Sequence, residues 1–157
     1  MSFDEVYSEA LDINPVFQAI LAVVILVTAY LSLNPPRGSE ALSLGLMLVL
    51  IVTVAVFVNF RTLEISITGE SLTVGYGFIK SRMRLGDVLH AEAVRPSFWR
   101  YGGLGIRLGL DGSLGYVVDY RRGVKITRRS GMTVFFSTGN PEKILQIIDH
   151  ETKLSAE

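Results

Sequence analysis

The chain changes its hydrophobic rhythm three times. Val16 to Leu33 and Ala41 to Phe60 are continuous apolar runs of 18 and 20 residues without a charged side chain. As helices rising about 1.5 Å per residue they would measure about 27 and 30 Å, matching a hydrocarbon core of about 30 Å. The predicted connector, Asn34 to Glu40, carries two prolines and a glycine and is too short to fold, so the two spans should form an antiparallel hairpin. From Arg61 the pattern turns to alternation. Leu63, Ile65 and Ile67 share one face of a predicted strand, and after a turn at Gly69–Glu70 the residues Leu72, Val74, Tyr76 and Phe78 continue it in a second. Further strands are predicted at Lys80–Leu85, Ala91–Arg95, Gly105–Leu110, Tyr116–Asp119, Gly123–Arg128 and Met132–Ser137, with a turn or single helical turn at Gly86–His90. The last change is to helical spacing. Asn140 suits an N-cap, Pro141 the first helical position, Glu142 the positive helix end, and Ile144, Leu145, Ile147, Ile148 and Leu154 the buried stripe.

The expected organisation is an acidic N-terminal tail (1–15), a transmembrane hairpin (16–60) and a β domain (61–157). Asp4, Glu5, Glu9 and Asp12 give the first fourteen residues a formal charge of −4, whereas fourteen Lys/Arg face ten Asp/Glu from Arg61 onward. An acidic start does not fit the basic n-region of a signal peptide, so retention of the first span is expected. Arg37 is the only basic residue between the spans, while Arg61, Lys80, Arg82 and Arg84 follow the second. The positive-inside rule then places both termini and the β domain in the cytoplasm, as a multi-pass protein of the cell membrane.

Asp, Glu, Lys, Arg and His are absent from both spans, which argues against an ion-coupled pump. Gln18, Thr28, Ser43, Gly45 and Thr53 can serve helix–helix contacts or only local backbone bonds. With no cysteine there is neither a disulfide framework nor a thiolate metal site, and His90 and His150 have no ligand spacing. The glycine-rich stretch Arg100–Tyr116 lacks the spacing of a dinucleotide fingerprint and the lysine of a phosphate-binding loop; Asp111–Gly112 reads as a hairpin turn. Ser113 has glycine on only one side at the interval a nucleophile elbow needs. Asp87 and Glu92 form an isolated acidic pair. No enzyme activity, cofactor, metal or nucleic-acid partner is therefore expected.

Two groups of residues remain as contact candidates. Arg121, Arg122, Lys125, Arg128 and Arg129 form the densest basic cluster, suited either to anionic lipid headgroups or to a solvated strand face paired with Asp119, with Lys125 and Thr127 pointing away from Val124 and Ile126. Trp99, Arg100 and Tyr101, in "RPSFWRY", suit either an interface or core packing.

The order of elements, two apolar helices followed by "LEISITGESLTVGYG", "RYGGLGIR", "RRGVKITRRSGMTVFFST" and "NPEKILQII", resembles the membrane-attached bacterial and archaeal pleckstrin-homology-like (PH-like) domain family over about Arg61 to His150. The pattern of about seven short strands and one amphipathic helix suggests an α+β membrane protein whose hairpin precedes a barrel or curled sheet plugged by that helix, and the resemblance implies a bent β barrel capped by the C-terminal helix. It also implies a binding or scaffold module, frequently self-assembling, that engages protein partners or copies of itself. An anionic-lipid sensor and an accessory subunit of a membrane enzyme or transporter are the alternatives.

Overall fold

The computed structural model describes residues 5–35 and 40–154, with the side chains of Glu5, Glu40, Phe98, Arg100 and Leu154 outside the description. Asp4, Arg37 and most of the connector between the apolar runs thus lie outside the described residues. The chain is α+β, with two apolar helices near the N-terminus, two sheets and a C-terminal helix.

Residues Glu5–Asp12, expected as an acidic tail, form strand β1. Helices α1 (Pro15–Leu33) and α2 (Glu40–Asn59) follow. Asn14 caps α1 by accepting the Val16 N–H at 2.9 Å, and Pro15 occupies the first turn, where its missing donor costs nothing. The helices pack on one another, and Ser43 Oγ donates to Ser32 O at 2.8 Å between them. Among the described residues Thr28 and Thr53 bond only to carbonyls one turn back, at Val24 and Val49, and a Cβ at Gly45 would touch nothing within 4 Å. Both helices are long and apolar enough to cross a membrane, and their apolar side chains face outward rather than into a core.

Beyond α2, strands β2 (Thr62–Thr68), β3 (Ser71–Tyr76) and β4 (Ile79–Arg84) run as an antiparallel meander. Strand β1 pairs antiparallel with β2, from Tyr7 opposite Ile67 to Asp12 opposite Thr62, giving a four-stranded sheet of order β1-β2-β3-β4. The alternation read in the sequence is real: Leu63, Ile65, Ile67, Leu72, Val74 and Tyr76 are all fully buried. Burial of such side chains stabilises by about 1.5–3 kcal/mol each.

A 3-10 turn at Leu85–Asp87 leads into the second sheet, formed by β5 (Val88–Val94), β6 (Gly105–Leu108), β7 (Leu114–Val117), β8 (Gly123–Arg128) and β9 (Thr133–Ser137). Its order is β5-β8-β9-β7-β6, and β7 runs parallel to β9. Among the described residues there are nine strands in two sheets, eight of them after Arg61 where about seven were expected, and no strand pairing joins the sheets into a barrel. Asp111 and Gly112 make the turn between β6 and β7, with Gly112 at φ +76°, a conformation that favours glycine.

The two sheets face each other over one core, and helix α4 (Pro141–Leu154) closes it with Ile144 and Ile148 buried and Leu145 and Ile147 partly so. Tyr76 links the sheets by donating its hydroxyl to Val117 O at 3.0 Å. Burial pushes its pKa far above the ordinary tyrosine value. On the outer face of the second sheet, a short helix α3 (Phe98–Tyr101) lays Tyr101 against Phe135, ring centroids 5.1 Å apart, and over Val117. Gly115 and Gly109 leave room for that ring, since a Cβ at either would approach it within 2.6 and 3.1 Å.

Candidate functional site

The helical hairpin is bolted to the sheet at both ends. Ile13 N–H donates to Arg61 O at 2.9 Å, and Thr62 Oγ1 donates to Asp12 Oδ1 at 2.7 Å. The two helices therefore leave the domain side by side, from one end of the first sheet. At that end Asn59 Oδ1 accepts the Phe78 N–H at 2.9 Å, which seats the β3–β4 turn against the end of α2. Gly77 makes the approach, with φ +46° and no side chain to strike Asn59. Phe78 itself is 98% exposed.

On the flank of the same junction lies a cavity of about 230 Å³ between the helix ends and β6. Phe17 and Leu21, one turn apart on α1, form one wall; Val56, Phe57 and Phe60 form the α2 wall. Leu104 and Ile106 complete the apolar lining, and Gln18, whose amide donates to Ile13 O at 2.9 Å, is held at its side. Two cations reach it, Arg61 from just after α2 and Arg107 from β6, and both are exposed. Arg107 Nε donates to Leu104 O at 3.0 Å, its guanidinium passing over Gly103, where a Cβ would stand 3.0 Å from Nη2. Neither arginine has a carboxylate within salt-bridge distance among the described residues. Nearby Tyr120 donates to Gly103 O at 2.6 Å; burial raises its pKa, with that bond and Arg107 acting in the opposite direction.

The basic cluster is dispersed along β8. Arg121 precedes the strand and is tied to Asp119, Nε to Oδ2 at 2.8 Å; Arg122 beside it is exposed. Lys125 projects from the outer face toward Asp111 at 3.5 Å, while Val124 and Ile126 point into the core. Arg128 reaches across to the other sheet, Nη2 to Ser81 Oγ at 3.3 Å, and its Nε is buried with no hydrogen-bond partner among the described residues. Arg129 is exposed, its N–H donating to Asp87 O at 2.9 Å. At about 3.3 Å per residue the two arginine pairs stand about 20 Å apart, at opposite ends of the strand.

The aromatic candidates divide as well. Trp99 is 83% exposed, Tyr101 is buried with its hydroxyl 3.0 Å from Ser113 Oγ, and the side chain of Arg100 lies outside the described residues. Ser113 is fully buried and bonds Asp111 Oδ1, so it serves the turn. His90 and His150 are exposed beside Glu92 and Glu151, and among the described residues no three His, Asp or Glu side chains gather as a metal site.

The fold and this junction define a class: an α+β domain of two facing sheets, fixed through its first sheet to an apolar helical hairpin, with a cation-rimmed apolar cavity where the two meet. No family model, curated protein or solved structure matches the chain.

Proposed function

We propose that the protein is a membrane-anchored, non-enzymatic binding module. In this reading α1 and α2 cross the bilayer, and the β domain, a relative of the PH-like domains, sits at the cytoplasmic face and engages protein partners or further copies of the chain. The observation that carries it is the pairing of β1 with β2 on either side of the hairpin. That pairing requires both ends of the hairpin to lie on one side of the bilayer, and it holds the domain at the surface without a flexible linker. A second support is the exposure of Trp99, Leu108 and Leu110, 83%, 75% and 88%, around α3 and the β6–β7 turn. Large exposed apolar side chains suit a protein contact.

The chain has no cysteine, so a Leu110→Cys variant of the full-length protein carries a single thiol for crosslinking in its own membrane. The expected product is a defined larger species, either a dimer or a complex with another protein. Recovery of monomer alone, with both thiol and amine crosslinkers, would count against the reading.

A further inference from the structure

We propose that the cavity at the base of the hairpin binds one anionic glycerophospholipid, with its phosphate between Arg61 and Arg107 and an acyl chain along Phe17, Leu21 and Phe57. The wall of this cavity belongs to the apolar helices themselves. Phe17 and Leu21 lie one turn apart on α1, so a chain following them runs parallel to the helix axis, away from the β domain. The polar end is equally well placed. Arg61 begins where the apolar run of α2 stops, which is headgroup depth for a spanning helix, and β6 brings Arg107 to the same rim. An arginine pair without carboxylate partners beside an apolar wall matches a ligand with one charged and one aliphatic part. A free phosphate would satisfy the cations and leave the wall unused.

The site rests on reading α1 and α2 as membrane spans, and alkaline carbonate extraction tests that reading by itself. Release of the wild-type chain into the supernatant would remove the spans and the site together; retention in the membrane leaves the site to be judged on lipid selectivity.

Full-length protein is reconstituted in nanodiscs of phosphatidylcholine with a minor share of phosphatidylglycerol, and the lipid retained on release is counted by native mass spectrometry. Phosphatidylglycerol should be enriched over its share of the bilayer. Both arginines are exposed, so Arg61→Gln and Arg107→Gln leave the core intact. Either should reduce the enrichment about fivefold and the pair about 25-fold, from about 1 kcal/mol of attraction per cation near the surface at 1.4 kcal/mol per decade. Arg129→Gln, exposed at the end of the domain far from the helices, should leave it unchanged. Retention of the two lipids in proportion to supply, or enrichment that survives in the Arg61/Arg107 double variant, overturns the proposal. Displacement of the lipid by millimolar inorganic phosphate also overturns it, in favour of a free-anion site.

Discussion

Glu9 offers a direct test of whether β1 is an integral strand. Its Oε1 accepts the Gly139 N–H at 2.9 Å, and its Oε2 accepts both Tyr7 Oη at 3.0 Å and Thr138 Oγ1. Thr138 Oγ1 in turn accepts the Asn140 N–H at 3.1 Å, just before α4 begins. One carboxylate thus joins the segment before the helical hairpin to the junction of β9 and α4, and Lys143 of α4 sits 5.2 Å over the Tyr7 ring. Hydrogen bonds to charged groups contribute about 1.5–3 kcal/mol each when removed singly. Glu9 is half-buried and its three bonds share one group, so the whole clamp is worth about 2–3 kcal/mol by the same scale. Glu9→Ala should therefore let β1 open locally, lowering the hydrogen-exchange protection of its amides about 30- to 150-fold at 1.4 kcal/mol per decade. Glu9→Gln keeps one acceptor oxygen and should fall between. The measurement is native-state hydrogen exchange on the full-length protein in nanodiscs. Wild-type protection of β1 in Glu9→Ala would refute the clamp; an equal loss in β7, β8 and β9 would refute β1 as a separately opening unit.

Tyr76→Phe should cost about 1 kcal/mol at neutral pH by removing the hydroxyl's bond to Val117 O, read as a lower unfolding midpoint in detergent. The same variant should flatten the alkaline limb: burial raises the folded pKa, so stability is intact below the ordinary tyrosine value of about 10 and is lost above it at about 1.4 kcal/mol per pH unit. Tyr7 and Tyr120, raised chiefly by burial, keep part of that limb in the variant, and an unchanged slope would sink the assignment to Tyr76. Gly77→Ala should cost about 1–2 kcal/mol from the left-handed backbone alone and free the β3–β4 turn, because its Cβ would lie 2.3 Å from Asn59 Oδ1; rapid exchange at Phe78 N–H is the readout. Gly123→Ala places a Cβ 2.4 Å from the Phe135 ring and 2.5 Å from Phe136 O, and overpacking of this kind costs about 1–3 kcal/mol; a thermal midpoint equal to wild type would contradict the packing described.

The strands legible in the sequence were those whose alternation is complete. Leu63, Ile65 and Ile67, then Leu72, Val74 and Tyr76, announce themselves because every second residue is apolar and every one is buried. Strand β1 escaped that reading because its inward positions run Tyr7, Glu9, Leu11, and an acid at the centre breaks the period. Only the distant Gly139 and Thr138 explain why a carboxylate belongs there. The order of the second sheet was equally hidden, since the parallel pairing of β7 with β9 depends on contacts that periodicity does not encode. Of the contact candidates, Arg121, Arg122, Arg128 and Arg129 were conspicuous as neighbours in sequence, yet one extended strand carries them apart. Arg61 and Arg107, 46 positions apart along the chain (107 − 61 = 46), were inconspicuous for the opposite reason.

In the proposed reading, in which α1 and α2 enter a bilayer, that geometry decides which cations can feel it. Strand β2 starts at the helices and runs seven residues away from them, about 23 Å at 3.3 Å per residue. The 3-10 turn at Leu85–Asp87 lies at the far end, where Leu85 N–H meets Glu70 O, and Arg129 is bonded to Asp87 there. A charge that far from the helix exits is separated from the leaflet by more than two screening lengths of about 8 Å at physiological salt. Arg128 and Arg129 therefore contribute little to lipid attraction, and Arg128 is already engaged with Ser81 between the sheets. Arg61 and Arg107 border the helix ends themselves, within reach of the headgroups. Charge reversal at Arg128 and Arg129 should accordingly leave lipid selectivity intact and disturb the packing of β4 against β8, whereas removal of the two arginines at the cavity should do the reverse.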